Sequence, residues 1–189
     1  MSHSNDINDG LELRAAPPAA AIGYVTGACT LGAILVAASH EGICAILLGD
    51  ERDELVRDLQ RRFSQATVFD DQGEAGLGAT LISVIALVEA SHAGLALPLD
   101  VRGTPFQQRV WQALRQIPAG RTVSYTELAG LVGVPNGARA VAGACAANAL
   151  AVAIPCHRVL RSDGAPSGYR WGLQRKQALL ARERLDVAA

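Results

Sequence analysis

Hydrophobic residues in the first part of the chain fall in short runs separated by turn residues. Three runs, at 22–25, 31–36 and 43–48, are rich in valine, isoleucine, leucine and alanine. Turn signals separate them at Gly27 and at 41–42. Runs of this length with such short links predict strands that pair antiparallel. We expect two or three antiparallel strands in a small sheet.

The spacing of apolar residues changes to a helical period after the third run. Over 50–63 they recur three or four positions apart, and acidic residues occupy the first turn, which predicts an amphipathic helix. A loop is predicted over 70–78 and a second helix over 81–90, followed by a link over 93–102. With the sheet, these elements predict a small N-terminal α/β domain over 21–95.

The second half of the chain predicts mainly helices. Thr104 and Pro105 suit the N-cap and first position of a helix that runs to about residue 117 with one apolar face. We therefore expect an α-rich C-terminal domain over 96–189, and an α+β fold class for the whole chain.

Two further helices form a helix-turn-helix pattern. Ser124 and Glu127 have the spacing of a capping box, which opens a helix that ends before the break at 133–135. The next helix, over 136–147, consists mostly of glycine and alanine and carries one long side chain, Arg139. Small residues allow close approach to another surface such as DNA, and they also favour tight helix packing. Both interpretations stay open.

Charge is divided unevenly along a chain whose net charge is only −1. Residues 1–100 have 5 basic and 14 acidic side chains, a balance of −9, and residues 101–189 have 12 basic and 4 acidic, a balance of +8. Eleven of the twelve basic residues are arginine, which suits phosphate contacts. Either the second half meets a polyanion, or the two halves attract each other.

Composition favours a protein of the reducing cytoplasm. The four cysteines show neither a CxxC pair nor the density of a disulfide framework. Residues 1–20 lack the features of a signal peptide and are predicted to be a disordered tail. The longest apolar runs fall short of the roughly 18 residues needed to cross a membrane.

The segment 155–159 places a cysteine directly before a histidine. We predict that the apolar run 150–154 is a buried strand that ends at Pro155 and holds the thiol of Cys156 at a fixed point. Only a thiolate attacks well, and an adjacent histidine or positive charge lowers a thiol pKa enough to form one. The alternative is an unreactive buried cysteine.

Several motifs together resemble the O6-alkylguanine-DNA alkyltransferases, the methylated-DNA–protein-cysteine methyltransferases. The matching segments, in order along the chain, are 102–104, 106–108, 123–125, 138–141, 144–148, 155–159 and 167–172. The likeness spans about 22–186 and is greatest to the C-terminal domain of the bacterial adaptive-response members. It implies a ribonuclease H-like N-terminal domain and a winged-helix-like helix-turn-helix in the C-terminal one.

The resemblance also implies catalytic roles for four residues. Cys156 would accept the alkyl group, and His157 would act as its base through a bound water. Glu183 would orient the histidine, although by spacing alone it would be an exposed surface charge. Asn148 would brace the turn between the DNA-reading helix and the reactive cysteine.

Other residues would bind DNA or the damaged base. The resemblance assigns contacts to DNA to Tyr125, Thr126, Arg139 and Ser162, with Arg139 filling the base stack after a nucleotide has been flipped out. Tyr125 and Tyr169 would line the pocket for the flipped base. The partner would be double-stranded DNA that contains O6-alkylguanine or O4-alkylthymine.

The implied reaction is an irreversible, single-turnover transfer of the alkyl group to Cys156 by a monomer associated with the bacterial nucleoid. No cofactor is expected, nor a metal, because Ser39 and Cys44 stand in the region where some relatives have zinc ligands. Bulky Trp171 predicts poor access for large alkyl groups. The alternatives are an alkyltransferase-like protein, which binds damage without transfer and lacks the cysteine, and a thiol hydrolase.

Overall fold

The structure, a computed structural model, describes residues 21–71, 76–90 and 96–188, with side chains up to residue 185. The predicted disordered tail, 1–20, lies outside the described residues, as do parts of the predicted loop and link.

A four-stranded mixed sheet forms the centre of the first half. It consists of β1 (Ala21–Cys29), β2 (Gly32–Ser39), β3 (Gly42–Gly49) and β4 (Thr67–Asp70), in the order β3-β2-β1-β4. The first three strands pair antiparallel, which confirms the sequence prediction, and β4 pairs parallel with β1. The fourth strand was not predicted, because it is short and largely exposed and so has no clear apolar alternation.

Two helices pack on this sheet near the predicted positions. Helix α1 (Arg52–Arg62) buries Leu55 and Leu59 against β2 and β3. Helix α2 (Gly78–Glu89) packs against β1 and β2. The small antiparallel sheet and its helices confirm the mixed α and β class.

The second half begins with α3 (Pro105–Arg115), whose start is fixed as predicted. The Thr104 hydroxyl accepts from the backbone N–H of Gln107, and the Gln107 side chain accepts from the backbone N–H of Thr104. Trp111 is buried on the inner face, and its Nε1 donates to the carbonyl of Ala144 at 2.8 Å. That bond ties α3 to the helix that carries Ala144.

Helices α4 (Tyr125–Leu131) and α5 (Ala138–Ala147) lie where the helix-turn-helix pattern predicts. The predicted capping box of Ser124 and Glu127 is complete and opens α4. The turn between the helices passes through Gly133, whose φ of +77° lies in the left-handed region that glycine tolerates best.

The chain ends in a short strand pair and a long helix. Strands β5 (Val123–Ser124) and β6 (Val159–Leu160) pair parallel, and α6 (Leu173–Ala188) follows. Helix α6 buries Leu179 and Leu180. Among the residues that the structure describes, no helix is both long and apolar enough to cross a membrane.

Ion pairs join the two halves of the chain. Three arginines of the second half contact acids of the first: Arg170 with Asp58, Arg175 with Asp50 and Arg182 with Glu89, at N–O distances of 2.9, 2.5 and 3.4 Å. The attraction between oppositely charged halves therefore explains part of the charge division. The buried side chains also form one continuous core across both halves. The predicted domain boundary at 95/96 stays a prediction.

The predicted strand over 150–154 is wrong. Residues 151–154 form a turn in which Val152 has a φ of 65°, and Leu150 makes only an isolated bridge to β3. The cause is the side chain of Asn148, whose Oδ1 accepts from the N–H of Leu150 and whose Nδ2 donates to the carbonyl of Ile154, each at 2.9 Å. These bonds compete with a strand ladder for the backbone.

Glycine is required in the β2–β3 turn but not in α4, which gives a matched test of stability. Gly42 has a φ of +140°, and a Cβ there would lie 2.5 Å from the Pro98 carbonyl oxygen. We expect Gly42→Ala to lower the free energy of unfolding by about 1–3 kcal/mol. A Cβ added at Gly130 would meet no atom within 4 Å, so Gly130→Ala should raise the free energy of unfolding by about 0.5–1 kcal/mol. Urea unfolding of both variants checks the signs; equal effects would contradict the argument.

Candidate active site

Cys156 is the first residue of a single 3₁₀ turn, Cys156–Arg158, that leads into β6. Pro155 precedes it with φ −80° and ψ 61° and ends the Asn148-braced turn. The side chain of Cys156 is buried, with 4% of the residue exposed, yet it lines a cavity of about 540 Å³. The thiol is thus reached only through this cavity, which we call the Cys156 cavity.

The walls of the Cys156 cavity come from α5, from the loop before α6 and from the start of α4. The lining residues are Tyr125, Ala138, Ala142, Cys145, Ala146, Cys156, Ser167, Gly168, Tyr169 and Arg170. Ala138, Ala142 and Ala146 recur every four residues, so one face of α5 gives the cavity a wall of methyl groups. Val141 and Ala144 are buried on another face. Tight packing of the small-residue helix is therefore confirmed for this buried face, and its close approach to DNA stays a prediction.

Asn148 contacts the sulfur directly. Its Nδ2 lies 3.3 Å from Sγ of Cys156, in addition to its bonds within the turn. Burial raises the pKa of the Cys156 thiol to about 11, and the Asn148 bond and the charge of Lys176 lower it without outweighing burial. With this pKa the thiol is protonated at pH 7, so it needs a base before it can attack as a thiolate.

His157 is fully buried and oriented by a carboxylate. Its Nε2 lies 2.8 Å from Oε1 of Glu183, while its Nδ1 is buried and has no hydrogen-bond partner among the described residues. Burial lowers the pKa of His157, although Glu183 acts in the opposite direction. The imidazole is therefore neutral at pH 7 and can accept a proton.

Glu183 is buried at the centre of a hydrogen-bond network. It accepts from Nε and Nη2 of Arg158 at 3.0 and 2.8 Å and from the backbone N–H of Gly120 at 3.1 Å. Burial acts to raise the Glu183 pKa, but the bonds from His157 and Arg158 outweigh it and lower the pKa to about 2. The alternative of an exposed surface charge is wrong, since Glu183 is 0% exposed.

Two tyrosines border the Cys156 cavity. The Tyr125 hydroxyl donates to the carbonyl of Ser167 at 3.2 Å, and burial raises its pKa to about 12. The Tyr169 ring lies edge-on to His157, with centroids 6.4 Å apart, and packs against Trp171 at 5.1 Å. Tyr169 is part of the described cavity lining, whereas Trp171 is not and contacts the cavity through the Tyr169 ring.

Three of the four predicted DNA contacts lie on the surface, whereas the fourth, Tyr125, lines the cavity. Arg139 is exposed in the first turn of α5. Thr126 and Ser162 are exposed and line an open groove of about 580 Å³ between α4 and the segment after β6. The structure thus brings Cys156 and His157 together with their buried partners and separates them from a second, exposed group.

Two functional residues were missed from the sequence. Lys176 is fully buried, and its Nζ donates to the carbonyls of Val159 at 2.6 Å and Ser167 at 2.8 Å. Arg158 links Glu183 to the carbonyl of Ile117. The sequence contains a signal for the burial of Lys176. Lys176, Leu179, Leu180 and Glu183 have the spacing of one helix face, and the two leucines predict that this face is buried.

The expected absence of a metal site stays a prediction. In the described segments, no three His, Cys, Asp or Glu side chains are grouped in a way that could hold a metal ion. Ser39 instead donates to Asp100 at 2.6 Å, and Cys44 is buried with a thiol pKa that burial raises to about 11.

Comparisons with known proteins agree with this geometry. Residues 105–185 match the family model of the 6-O-methylguanine DNA methyltransferase DNA-binding domain. The chain is 54% identical over 165 residues to the bifunctional transcriptional activator and DNA repair enzyme Ada of Escherichia coli, across 86% of this chain and 46% of that protein. It is 52% identical over 88 residues to a methylated-DNA–protein-cysteine methyltransferase of Mycolicibacterium paratuberculosis, across 47% of this chain and 53% of that one. The chain spans about half the length of these curated relatives.

A solved structure extends the match to nearly the whole fold. The crystal structure of Mycobacterium tuberculosis OGT in complex with DNA superposes with a TM-score of 0.70 and 32% sequence identity, across 86% of this chain and 93% of that one. This identity, over nearly the full length of both chains, establishes that the two proteins share a family. The chain belongs to the O6-alkylguanine-DNA alkyltransferases, the methylated-DNA–protein-cysteine methyltransferases.

Proposed function

We propose that the protein repairs DNA by direct reversal, moving a methyl or other small alkyl group from O6 of guanine to the sulfur of Cys156. The observation that carries this proposal is a buried thiol that lines a cavity of about 540 Å³ beside the helix-turn-helix. The names of the relatives, a DNA repair enzyme and a methylated-DNA–protein-cysteine methyltransferase, support the same activity.

The transfer is a displacement at the alkyl carbon. The sulfur of Cys156 forms a bond to that carbon as the bond from carbon to O6 breaks, and the electron pair of the broken bond stays on the guanine. The thiol proton is taken up by a base of the protein, and a proton is returned to the guanine ring. The products are unmodified guanine in DNA and an S-alkyl cysteine.

His157 is the proposed proton acceptor. Because burial keeps the thiol neutral and the imidazole unprotonated, a proton must move from one to the other as the sulfur attacks. The buried Nδ1 is the ring nitrogen left for this step, since Nε2 faces Glu183. The family resemblance places a water between Nδ1 and the sulfur. Glu183 then stabilises the imidazolium that forms.

Asn148 and Tyr125 have proposed roles at the two ends of the reaction. The Asn148 Nδ2 donates to the sulfur at 3.3 Å, which stabilises negative charge there and fixes the direction of attack. The Tyr125 hydroxyl lies at the cavity and stays protonated at neutral pH, so it can donate to the leaving guanine once its hydrogen turns away from the carbonyl of Ser167.

Access to the buried thiol requires that the damaged nucleotide leave the duplex. Flipping costs a few kcal/mol and is cheapest for a weakened pair. We propose that α5 reads the duplex, that Arg139 takes the place of the flipped base, and that Thr126 and Ser162 contact the backbone. The exposure of all three side chains, and the groove that Thr126 and Ser162 share, support this arrangement.

The product explains why one molecule repairs one lesion. A thioether has no acyl carbon for water to attack, so neither His157 nor solvent can release the alkyl group from Cys156. The reaction as written also needs no cofactor, since the substrate supplies the alkyl group and the thiol supplies the electron pair.

Finer assignments extend this proposal. The ribonuclease H-like character of the first half is supported by its antiparallel β1–β3 order with a following helix, and the winged-helix-like character of the second by α4, α5 and the adjoining β5–β6 pair. O4-alkylthymine is proposed as a second substrate, and the protein is proposed to act as a monomer in the cytoplasm at the bacterial nucleoid.

Replacing the acceptor tests the central step. We expect the parent protein, after incubation with duplex DNA containing O6-methylguanine, to gain one methyl group on the peptide that holds Cys156. Cys156→Ala should gain none and still bind DNA. Cys145→Ala is the matched control, because Cys145 lines the same cavity and burial raises its thiol pKa to about 12; it should retain uptake. Peptide mass spectrometry makes the measurement.

The same experiment separates the alternatives. Binding of the damaged duplex by the parent without a change of mass would favour a damage-binding protein. Repeated turnover without a stable adduct would favour a thiol hydrolase. Methyl uptake by Cys156→Ala would contradict the assignment of the acceptor.

The rate of transfer should depend on pH through His157. Burial lowers the histidine pKa from its ordinary value of about 6.5, so the imidazole is neutral above that pH and protonated only in more acidic solution. We expect a constant rate from about pH 7 to 9 and a fall as the pH drops through the His157 pKa, where a protonated imidazole cannot accept the thiol proton. A rate that rises continuously towards pH 11 would instead indicate direct ionisation of Cys156.

Arg139 should matter for duplex DNA but not for the free base. Because flipping costs a few kcal/mol and each 1.4 kcal/mol is a factor of ten, we expect Arg139→Ala to slow methyl transfer from duplex DNA by about tenfold or more. Transfer from free O6-methylguanine should not change. Arg115→Ala removes an equal exposed charge at the end of α3 and is the control. Equal slowing with both substrates would show that Arg139 supports the fold instead.

A further inference from the structure

The loop over residues 167–172, here named the pocket loop, is held from both sides. On its inner side, Lys176 Nζ donates to the carbonyls of Ser167 at 2.8 Å and Gly168 at 3.4 Å, and the Tyr125 hydroxyl also donates to Ser167. On its outer side, Arg170 reaches α1, a helix of the first half that contributes no residue to the described lining of the Cys156 cavity.

The outer anchor is the carboxylate of Asp58. Arg170 Nη2 donates to Oδ1 and Oδ2 of Asp58 at 2.9 and 3.0 Å, across 112 residues of sequence. Arg62 Nε donates to Oδ2 of the same carboxylate at 3.1 Å. Burial acts to raise the Asp58 pKa, but the bonds from Arg170 and Arg62 outweigh it and lower the pKa, so the carboxylate is ionised at neutral pH.

Asp58 is also linked to the other wall of the cavity. Arg62 Nη1 makes a long bond of 3.5 Å to the carbonyl of Ala147, the last residue of α5. Ala138, Ala142 and Ala146 of the same helix line the cavity. One carboxylate on α1 is therefore connected directly to the pocket loop and, through Arg62, to the end of α5.

We propose that Asp58 is a positioning residue for alkyl transfer: through Arg170 it holds the pocket loop at the distance from Cys156 that the displacement requires. This inference rests on the function proposed above. Tyr169 stands between the inner anchors and Arg170, lines the cavity and faces the His157 ring. Releasing Arg170 removes the link from the loop to α1 and leaves the bond from Arg175 to the carbonyl of Trp171 as the next contact along the loop. A misplacement of about 1 Å can slow a reaction by up to about 100-fold.

An exposed ion pair would contribute little, but this one is not of that kind. The side chains of Asp58, Arg62 and Arg170 are 19%, 16% and 34% exposed, so the network is more than half buried. The carboxylate accepts hydrogen bonds from Arg170 and Arg62 and forms a longer ion pair of 3.5 Å with Arg61. Charge networks of this kind hold position better than isolated surface pairs.

Conservative substitutions at Asp58 test the inference. We expect Asp58→Asn to slow methyl transfer by about tenfold when the duplex containing O6-methylguanine is saturating. The dissociation constant for DNA should be no larger than that of the parent protein. Asp58→Glu, which keeps the charge, should recover most of the rate. The control is Asp70→Asn. Asp70, the last residue of β4, forms a 2.9 Å ion pair with Arg52, the first residue of α1, so this substitution also removes an aspartate that pairs with an arginine of α1. The Asp70→Asn variant should transfer at the parental rate.

A double variant shows whether Asp58 acts through Arg170. If it does, Asp58→Ala combined with Arg170→Ala should be no slower than the slower single variant, whereas independent effects would multiply. Multiplying effects would overturn the inference, as would a rate for Asp58→Asn equal to that of the parent or lowered only in proportion to the loss of folded protein. A parent protein that takes up no methyl group would overturn the proposed function and this inference with it; an active parent with an equally active Asp58→Asn would overturn this inference alone.

Discussion

The reactive centre depends on the side-chain amide of one buried asparagine. Asn148 accepts from the N–H of Leu150 and donates to the carbonyl of Ile154, which closes the apolar run between them into a turn. The same Nδ2 reaches the sulfur of Cys156. Each such bond contributes about 1 kcal/mol, but a buried group left without its partner costs about 1–3 kcal/mol. The turn and the position of the thiol are therefore coupled: the backbone that Asn148 satisfies is the backbone that holds Cys156.

A second constraint is the burial of charge around Glu183. A carboxylate with no exposed surface is stable only if opposite charge and donors surround it, and Arg158, His157 and the N–H of Gly120 meet that requirement. Arg158 in turn donates to the carbonyl of Ile117. The network thus joins α6, the 3₁₀ turn Cys156–Arg158 and the segment after α3. Removing one partner would leave a buried charge unpaired, so the groups that orient the base also hold three elements together.

Local patterns predicted the elements well, and tertiary contacts explain the errors. Helix α3 and its cap follow from Thr104 and Gln107, which are neighbours in sequence. Strand β4 could not be predicted, because it is short and is defined by its pairing with β1. The apolar run after Asn148 has the composition of a strand, but the side-chain bonds of Asn148 and the backbone bond from the Ile154 N–H to the Leu150 carbonyl hold it in a turn. At the site, the family resemblance pointed to Cys156, His157 and Glu183, and the structure places His157 in contact with Glu183. The partners of Lys176 are carbonyls that only the fold brings to it.

The uneven charge of the two halves serves two ends in this fold. Acids of the first half pair with Arg170, Arg175 and Arg182, and these pairs hold the pocket loop and α6 against the sheet domain. Neutralised in this way, those arginines have less charge to offer a polyanion. Arg139 lies on α5, is exposed and forms no ion pair with an acid of the first half among the described contacts. The charge division therefore also contributes to the contact between the two halves. It leaves positive charge at the helix that is proposed to read the duplex and cancels positive charge where the two halves contact each other. The first half contributes no residue to the described lining of the cavity, but it binds the pocket loop through Asp58 and Arg170.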